Sequence, residues 1–487
     1  MGILFRSAEG ISAMSDRRVL LIQLYSNMQP ANCEPFSISV LGGHLIACWP
    51  DLRVTYARAG LGFADPSDII DSYLNLADAI IGISAPQGTF HVLSEILQGF
   101  EGSGCLIVVG HAFGGLGSSY LLNKFPWIRV VDGWGEEKFA ALAAEFFGVS
   151  RPAKQWGSPP VRLFPAEHLL RQVEGSRGCA YGSCTFCTRM AWPRNSFHVR
   201  SLEFLHEDLE SLASITNHWS FADEDFFGSP RGHLNELAAL LSDFRASGSF
   251  TASVRAEKVI EFLDLLDKFR YAGWRLAFVG VESLSHTQLR RYGKRAKISE
   301  IQSCVERLRY LDIDLELGFI PFDPWVTLTE LNENYSYMIK SGLGRFVGSP
   351  FSRMRLQMGA PMFNRKDLAG KIDVTSLSKN YNFMHAEVAN IYNACREWWN
   401  EVDRLYLLLR SVSREFSAEG SSLKNLLEDV RMICCEEMVR LLGGGSDFNA
   451  PDIVKNTLLL GATLPVVGES VNKVQISREV SKLSKGV

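Results

Sequence analysis

The sequence predicts an α/β protein with two successive series of parallel strands, followed by a mainly helical C-terminal region. Short apolar runs alternate with helical patterns over residues 19–148, and the same alternation begins again near residue 169. Strands separated by helices of about 10–15 residues are typical of βαβ units. From about residue 375 the periodicity is helical throughout. We therefore expect a first domain over 1–148, a linker over 149–168, a second domain over 169–374 and a helical region over 375–487.

The length and composition agree with a large globular protein. A chain of 487 residues accommodates several domains of about 100–200 residues each. Its 46% hydrophobic and 21% charged residues exclude a disordered, collagen-like or coiled-coil chain. The formal net charge of −4 gives no basic excess, so we expect no nucleic-acid partner. No apolar run reaches the ~20 residues that span a bilayer, and the N-terminus lacks the pattern of a signal peptide, so we expect a cytoplasmic protein without a membrane partner.

The first series is predicted to form a Rossmann-like, doubly wound parallel sheet. Its strands and helices are predicted in the order RVLLIQLYS, PFSISVLGGHLIACW, DAIIGISAP, TFHVLSEILQGF, CLIVVGHAFGG running into a Gly-rich loop, YLLNKFP, RVVDGWGE and EKFAALAAEFF. Ligands of such sheets bind beyond the carboxyl ends of the strands. Those ends carry residues 27–32, 84–88 and 110–115, which are mostly small and polar. A ligand-binding rim and a set of ordinary turns both fit this composition.

The second series follows a linker that is predicted from four prolines between residues 148 and 165. Its strands are predicted in RQVEGSRG, HWSFADEDF, FTASVR, RLAFVGVE, LELGFIPF and GRFVGS. Six βα units fit an open sheet or a partial (β/α)6 barrel, and both place functional groups at the carboxyl ends of the strands. The polar residues that follow these strands are Cys179, Asp223, Arg255, Glu282 and Asp323.

A group of three cysteines is the main chemical signal. Cys179, Cys184 and Cys187 have the spacing C-x4-C-x2-C, and in a reducing compartment such a group is more typical of a metal site than of disulfides. Thiolates select zinc, copper or iron–sulfur clusters. Structural zinc and electron-carrier clusters use four protein ligands, so a zinc site completed by His198 stays open. Three ligands would instead leave one iron of a [4Fe–4S] cluster free to bind a small molecule.

Three cysteines directly after the first strand of a βα series resemble the radical S-adenosylmethionine (SAM) superfamily. The usual spacing there is C-x3-C-x2-C, so this loop has one additional residue. Residues 221–227 (FADEDFF) are similar to the second-strand motif of radical SAM enzymes that carry a cobalamin-type N-terminal domain. Residues 278–283 (FVGVES) and 318–324 (GFIPFDP) resemble the fourth- and fifth-strand segments near SAM, and 289–294 (LRRYGK) also fits. The resemblance covers about residues 170–350.

The resemblance implies that Cys179, Cys184 and Cys187 bind a [4Fe–4S] cluster whose open iron binds SAM. One electron from the cluster would cleave SAM to a 5′-deoxyadenosyl radical, which abstracts hydrogen from a small-molecule substrate. An electron donor such as flavodoxin or ferredoxin is implied as a partner. No catalytic side chain is assigned. The residues implied to contact the cofactor are Phe186, Asp223, Arg255, Glu282, Ser283, Phe319, Ile320 and Pro321.

The first domain resembles the cobalamin-binding domain of many radical SAM enzymes. Residues 83–88 correspond to its serine-bearing loop and residues 109–115 to its Gly-rich loop, although the Asp-x-His-x-x-Gly motif is absent. Cobalamin is therefore a possible cofactor, and a degenerate domain is the alternative. We expect deoxygenation or dehydration of an aminoglycoside-like sugar or a related small polar natural product. The alternatives are a cobalamin-dependent C-methyltransferase, a peptide-modifying enzyme and a non-catalytic metal-binding protein.

Overall fold

The computed structural model describes most of the chain. The described residues are 17–26, 28, 33–74, 78–151, 157–167, 169–190, 197–415, 421–444, 450–470 and 473–484. Parts of the predicted first loop (27 and 29–32) and of the linker (152–156 and 168) lie outside the described residues. The chain divides into two compact units. The first comprises Met1–Ala252, Asp267–Trp274 and Leu356–Asn380, and the second comprises Ser253–Leu266, Arg275–Arg355 and Tyr381–Val487.

The first unit begins with a five-stranded parallel sheet of order β2-β1-β3-β4-β5. The strands are β1 (Arg18–Tyr25), β2 (Arg53–Gly60), β3 (Ile80–Ser84), β4 (Leu106–Gly110) and β5 (Arg129–Val130). The helices are α1 (Phe36–Cys48), α2 (Pro66–Tyr73), α3 (Phe90–Gly99), α4 (His111–Gly115), α5 (Ser118–Lys124) and α6 (Glu136–Phe147). Alternate residues of β1 enter two separate apolar cores, with Leu20 and Ile22 in one and Val19 and Leu21 in the other. Burial on both faces is the property of a doubly wound sheet, so this prediction is confirmed.

Three details of this sheet differ from the sequence prediction. Strand β2 and helix α2 were not predicted, because β2 is half exposed and its apolar signal is weak. The predicted Gly-rich loop after β4 is the short helix α4. It packs closely on its own strand, since a Cβ on Gly114 would lie 2.3 Å from the carbonyl oxygen of Val109. The predicted strand in RVVDGWGE is only two residues long.

Two adjacent glycines inside α1 have a packing role. A Cβ on Gly42 would lie 2.2 Å from the hydroxyl oxygen of Tyr56 on β2. A Cβ on Gly43 would lie 2.1 Å from the carbonyl oxygen of Pro159 in the linker. Gly pairs lower the intrinsic stability of a helix, but here they allow backbone and ring to approach α1 closely. The described part of the linker has no regular secondary structure and lies against this helix.

The first unit also contains the beginning of the second strand series. Its strands are β6 (Arg171–Val173), β7 (Ser176–Arg177), β8 (His198–Val199), β9 (His218–Phe221) and β10 (Ser249–Val254), with helices α7 (Leu202–Ala213) and α8 (Arg231–Asp243). Strand β9 pairs in parallel with β6 and with β10. Strand β7 instead pairs antiparallel with β8. The strand predicted over RQVEGSRG is therefore divided into two, and the division positions the cysteine loop.

In the second unit, strand β11 (Trp274–Glu282, of which Trp274 belongs to the first unit) pairs in parallel with β12 (Asp314–Phe319). A bulge lies at the end of this pair, because Gly280 opposes Gly318 while Glu282 opposes Phe319. The helices are α9 (Ala256–Glu261), α10 (Leu263–Tyr271, of which 267–271 belong to the first unit), α11 (His286–Arg291), α12 (Ile298–Tyr310) and α13 (Leu328–Ser341). Phe262 separates α9 from α10.

The prediction of a sixth strand in GRFVGS is wrong. Leu343–Phe346 is a 3₁₀ helix, and one isolated parallel bridge joins Val347 to Leu317. Gly342 ends α13 in the left-handed conformation with φ 72°, which turns the chain away from an extended course. Gly344 then packs under a C-terminal helix, since its Cβ would meet the Sγ of Cys435 at 3.0 Å.

A small antiparallel sheet precedes the C-terminal helices and was not predicted. It consists of β13 (Leu356–Gln357), β14 (Lys371–Asp373) and β15 (Ser378–Asn380), and it belongs to the first unit. Leu377 enters the apolar core that contains Phe113, and the backbone N–H of Gly88 donates to the carbonyl oxygen of Thr375 at 2.8 Å. The helical pattern expected from residue 375 therefore begins only at residue 386, with the strand β15 before it.

The predicted helical C-terminal region is confirmed. Its helices are α14 (Ala386–Glu415), α15 (Ser421–Leu442), α16 (Ala450–Ala462), α17 (Pro465–Glu469) and α18 (Lys473–Ser484). None of the helices that the structure describes combines the length and the apolar character needed to cross a membrane.

The contact between α1 and the linker leads to a stability prediction. Gly43→Ala places a methyl group against a backbone oxygen that cannot rotate away, so we expect the free energy of unfolding to fall by about 1–3 kcal/mol. Gly232→Ala in α8 is the matched control, because no atom lies within 4 Å of its Cβ position. The control is expected to be neutral or to gain up to about 1 kcal/mol. Denaturant unfolding of both variants measures this, and a Gly43→Ala protein as stable as the control would contradict the packing role.

Candidate cofactor site

The cysteine loop starts immediately after β7 and is held by a carboxylate from the end of β9. Gly178, which precedes Cys179, has φ 88°, a conformation that favours glycine. Its backbone N–H donates to Oε2 of Glu224 at 2.7 Å. Glu224 also forms an ion pair with Arg189, which lies just beyond the third cysteine. One side chain thus fixes both the beginning and the end of the loop.

The three loop cysteines form no disulfide and have intermediate exposure. The Sγ of Cys179 lies 3.9 Å from Oδ2 of Asp225, and the Sγ of Cys187 accepts the backbone N–H of Arg189 at 3.5 Å. Burial lowers the pKa of the Arg189 guanidinium, while the nearby Cys187 and Cys179 thiols act in the opposite direction. At least two of the thiols are therefore close to the same guanidinium.

Within the described part of the chain, no three His, Cys, Asp or Glu side chains are gathered closely enough to hold a metal ion. Convergence of the three sulfurs on one group thus stays a prediction from their spacing. His198, considered as a fourth ligand, belongs to β8 and packs its ring edge-on against Trp134 at 4.6 Å. The donor set itself, three accessible thiols on a short loop, fits the chemistry of an iron–sulfur cluster.

Asp223 supports the turn between β6 and β7. Its Oδ1 accepts the backbone N–H of Gly175 at 2.8 Å, and its Oδ2 accepts the hydroxyl of Ser176. The side chain is 4% exposed. Burial raises the pKa of Asp223 to about 7, although the two hydrogen bonds act against this shift. Asp223 was predicted to contact the cofactor, and in the structure both of its carboxylate oxygens serve the protein backbone and Ser176.

A buried ion cluster that sequence analysis missed lies next to the cysteine loop. Arg177, the last residue of β7, contacts Oε1 of Glu136 at 2.6 Å and Oε1 of Glu174 at 2.7 Å. Burial opposes the ionisation of Glu136, but Arg177 outweighs it and lowers the pKa of that carboxyl. Burial dominates at Glu174 and raises its pKa. No motif signals this cluster, because its members come from α6, from β7 and from the turn before β7.

A cavity of about 240 Å³ connects these charges to the first sheet, and all of its lining residues belong to the first unit. One wall is formed by the carboxyl ends of β3 and β4, with Ser84, Gly110 and His111. The lining also includes Arg177 and Arg189 from the two ends of the cysteine loop. The remaining lining residues come mainly from the start of α1, from residues 133–136 and from Glu174 and Glu224. The sequence prediction of a ligand-binding rim after β3 and β4 agrees with this cavity.

One polar side-chain atom of a cavity-lining residue has no hydrogen-bond partner within the described part of the chain. The hydroxyl of Ser84 is buried and finds no hydrogen-bond partner among the residues that the structure describes. An unpaired buried hydroxyl costs about 1–3 kcal/mol. Such an atom in the wall of a cavity fits a ligand that supplies the missing partner.

The other predicted cofactor residues lie in the second unit, at the ends of β11 and β12. Glu282 has φ 65° and occupies the bulge that ends β11. Its Oε1 lies 3.2 Å from the Nζ of Lys294, and its carbonyl oxygen accepts the backbone N–H of Ile320 at 2.9 Å. Phe319 and Pro321 are buried on either side of Ile320. The structure therefore brings Glu282 and the Phe319–Pro321 segment together.

A buried polar network is hydrogen-bonded to the Phe319–Pro321 segment. The hydroxyl of Tyr292 donates to the carbonyl oxygen of Ile320 at 2.8 Å and lies 2.9 Å from Oδ2 of Asp323. The same Oδ2 accepts from Arg291 at 2.9 Å. Ser283, a predicted cofactor residue, is fully buried, and its hydroxyl donates within the protein to Gln288 at 2.7 Å. The LRRYGK motif signalled Arg291 and Tyr292, whereas Gln288 carried no sequence signal.

Arg255 and Phe186 occupy different surroundings. Arg255 is 8% exposed and its Nη1 contacts Oε1 of Glu257 at 2.8 Å. Phe186 lies in the cysteine loop of the first unit and is half-buried. Of the predicted site residues, Phe186 and Asp223 accompany the cysteines in the first unit, and the remainder belong to the second.

The raised pKa of Asp223 leads to a pH prediction. An unfolded aspartate has a pKa of about 3.9, so the folded state holds this proton more tightly than the unfolded state. The stability contributed by protonated Asp223 is present at about pH 4 and is lost as the pH rises toward 7. Asp223→Asn removes this loss. We expect the free energy of unfolding of the variant, relative to the wild type, to increase from pH 4 to pH 7.

Denaturant unfolding across this pH range measures the difference. Asp243→Asn, at an exposed position at the end of α8, is the matched control for the loss of one carboxylate. A difference between Asp223→Asn and wild type that does not change with pH would contradict the assignment.

The chain was compared with known protein families and proteins. No protein-family model matches the chain. The 4′-phospho-dehydrooxetanocin synthase of Priestia megaterium is 31% identical, over 56% of this chain and 44% of that protein. The hopanoid C-3 methylase of Methylococcus capsulatus is 23% identical, over 31% of this chain and 29% of that protein. The matches thus span less than half the length of these curated relatives.

Solved structures match over a larger part of the chain. OxsB, a cobalamin-dependent S-adenosylmethionine radical enzyme with aqua-cobalamin and S-adenosylmethionine bound, aligns with a TM-score of 0.73 and 17% identity, over 97% of this chain and 84% of that chain. TsrM of Kitasatospora setae, a radical S-adenosylmethionine methyltransferase with cobalamin and a [4Fe–4S] cluster bound, aligns with a TM-score of 0.56 and 15% identity, over 71% and 74% of the two chains. At such identities the likeness establishes the fold. The chain therefore has the fold of these cobalamin-dependent S-adenosylmethionine radical enzymes.

Proposed function

We propose that this chain is a cobalamin-dependent radical SAM enzyme in which Cys179, Cys184 and Cys187 bind a [4Fe–4S] cluster. One observation carries the proposal. One cavity is lined both by the strand ends of the doubly wound sheet, at Ser84, and by Arg189 of the cysteine loop. A degenerate, purely structural domain does not need a cavity at this place or a hydroxyl without a partner in its wall.

The residues of the cavity fit part of a corrinoid. At about 240 Å³ the cavity is smaller than the about 300–1,000 Å³ of most small-molecule sites, so it would hold a portion of so large a cofactor. Gly110 presents no side chain, Ser84 presents a hydroxyl, and Phe36 and Val108 present apolar surface. This combination suits a ligand that has apolar rings and polar substituents.

When bound, the cluster and SAM supply reductive cleavage to a 5′-deoxyadenosyl radical, and a corrinoid supplies a cobalt centre that can carry a methyl group. The chain would contribute binding, orientation and exclusion of water. The resemblance assigns cofactor contacts to Phe186, Asp223, Arg255, Glu282, Ser283 and to Ile320 with its neighbours Phe319 and Pro321. The hydroxyl of Ser283 donates to Gln288.

The charges around the loop suit a negatively charged metal group. Thiolates are the ligands of iron–sulfur clusters, and three of them concentrate negative charge on a short loop. The guanidinium of Arg189 interacts electrostatically with Cys187 and Cys179 and would offset part of that charge. Its ion pair with Glu224 holds the guanidinium in place. The second cation, Arg177, is already paired with Glu136 and Glu174.

For the reaction, we propose hydrogen abstraction from a small polar natural product, with deoxygenation or dehydration as the outcome. The more similar of the two curated relatives described above is named for the synthesis of a 4′-phospho product, which supports a small polar substrate. The second candidate is methyl transfer to carbon. It is favoured by the names of the hopanoid methylase and the TsrM methyltransferase. A flavodoxin or ferredoxin as electron donor, a cytoplasmic location and the absence of a nucleic-acid partner belong to the proposal.

Products formed from SAM test the proposal. Anaerobically reconstituted and reduced protein is expected to convert SAM to 5′-deoxyadenosine, and Cys184→Ala is expected to lower the yield to background. Cys105→Ala, which removes a thiol before β4, is the control and is expected to keep the yield. Formation of S-adenosylhomocysteine together with 5′-deoxyadenosine would indicate methyl transfer, and 5′-deoxyadenosine alone would indicate the first candidate. A Cys184→Ala protein as active as wild type would overturn the assignment.

The network behind Ile320 provides a second test. Tyr292→Phe removes the hydrogen bond that fixes the Ile320 carbonyl, so we expect the KM for SAM to rise about fivefold, the value of one hydrogen bond, with a smaller change in kcat. Tyr310→Phe is the control, because that side chain is exposed on α12. Steady-state kinetics of 5′-deoxyadenosine formation measure both variants. An unchanged KM in Tyr292→Phe would show that the segment does not contact SAM.

A further inference from the structure

His111 occupies an unusual place in the cavity wall. It follows directly after β4, where the sequence resembles a Gly-rich loop, and it is the first residue of α4. Its φ is 62°, in the left-handed region that residues other than glycine rarely adopt. Such strain persists where the surrounding structure enforces it, which is typical of functional sites. A glycine would adopt this φ without strain. The residue present is a histidine, and it lines the cavity.

The hydrogen bonding of His111 determines its tautomer. Its Nδ1 accepts the backbone N–H of Ala112 at 2.8 Å, so this nitrogen carries no proton. In a neutral imidazole the proton must then be on Nε2. His111 is exposed, and because its Nδ1 accepts a hydrogen bond the ring is in its neutral form. No hydrogen bond from Nε2 to any described residue is present.

These observations give His111 an N–H donor without a partner at the cavity. The nearby hydroxyl of Ser84 is likewise without a partner among the described residues. An exposed N–H donor on the lining of the cavity, beside a buried hydroxyl without a partner, fits a ligand that carries acceptor atoms at this place. Coordination of a metal by Nε2 would need a lone pair where the proton now stands. The proton would have to move to Nδ1, where it would oppose the N–H of Ala112.

We propose that His111 is a corrinoid-binding residue that donates its Nε2–H to an acceptor oxygen of the cofactor's side chains and does not ligate the cobalt. This inference rests on the proposed cobalamin-dependent function. The acceptor is an amide or phosphodiester oxygen, since both are present on the periphery of cobalamin. The residue acts in binding and in orientation, because the hydrogen bond fixes the cofactor relative to the strand ends of the first sheet.

Glycine and asparagine variants of His111 allow a clean test. His111→Gly removes the imidazole and suits the positive φ, so the fold is expected to be as stable as wild type or more so. His111→Asn also tolerates this conformation and keeps an N–H donor on a shorter side chain. His91→Ala on the exposed face of α3 is the matched control. Thermal unfolding of the three variants verifies that they are folded.

Binding of hydroxocobalamin to the full-length chain is then measured by absorbance titration. We expect His111→Gly to bind about five- to tenfold more weakly than wild type, as for one lost hydrogen bond, while His111→Asn is intermediate and His91→Ala is unchanged. Titration with cobinamide, which lacks the phosphodiester and the nucleotide base, distinguishes the acceptors. An effect that persists with cobinamide indicates an amide oxygen, and an effect that disappears indicates the phosphodiester.

Ligation is tested separately by electron paramagnetic resonance of cob(II)alamin bound to protein labelled with ¹⁵N-histidine. We expect the hyperfine pattern to be the same with and without the label. A label-dependent change that is lost in His111→Gly would overturn the inference in favour of a cobalt–histidine bond. Equal affinities of His111→Gly and wild type would also overturn it. If wild type itself binds no cobalamin, the cobalamin part of the proposed function fails together with it.

Discussion

Three consecutive carboxylates hold the cysteine loop to the end of strand β9, and the chemistry of the first unit depends on this attachment. Asp223 accepts from Gly175 and Ser176 before the loop. Glu224 accepts from the backbone N–H of Gly178 and forms an ion pair with Arg189. These two contacts of Glu224 lie at the beginning and at the end of the loop. Asp225 is buried next to the Sγ of Cys179. A loop fixed by side chains of a neighbouring strand can present several thiols with little loss of conformational entropy when they bind a common group.

The same attachment brings the loop to the first sheet. Because Arg189 is held by Glu224, its guanidinium reaches the cavity that begins at the strand ends of β3 and β4. Arg177 reaches the same cavity from the last position of β7 and is fixed by Glu136 of α6. Elements that are distant in sequence thus line one space. A ligand bound at the strand ends of the doubly wound sheet would therefore lie in the cavity that the two ends of the cysteine loop also line.

The sequence alone predicted much of this arrangement, because buried parallel strands and a tight cysteine spacing are local signals. Strands β1, β3 and β4 are short apolar runs that any periodicity analysis finds, and the three cysteines lie within nine residues. The edge strand β2 escaped because its alternation of exposed and half-buried residues weakens the apolar signal. The segment GRFVGS looked like a strand, yet the left-handed turn at Gly342 and close packing on Cys435 fold it into a 3₁₀ turn.

Site details that depend on tertiary contacts could not be predicted. The ion cluster of Arg177 joins residues from three elements, and nothing in the sequence connects Glu136 with Glu174. The cofactor contacts predicted for Asp223 and Ser283 stay predictions. The structure adds that their side-chain oxygens are hydrogen-bonded within the protein, which no motif reveals. In the sequence, His111 is a histidine within the segment that resembles a Gly-rich loop. Its tautomer follows from a backbone contact that only the folded chain reveals.

The most direct measurement of the central claim is Mössbauer spectroscopy of the ⁵⁷Fe-reconstituted protein, recorded before and after addition of SAM. The account predicts about four irons per chain in a cubane cluster, with one iron whose signal shifts when SAM is added. The opposite result would be a chain that retains zinc instead of iron at its three cysteines, or a cluster whose irons all ignore SAM.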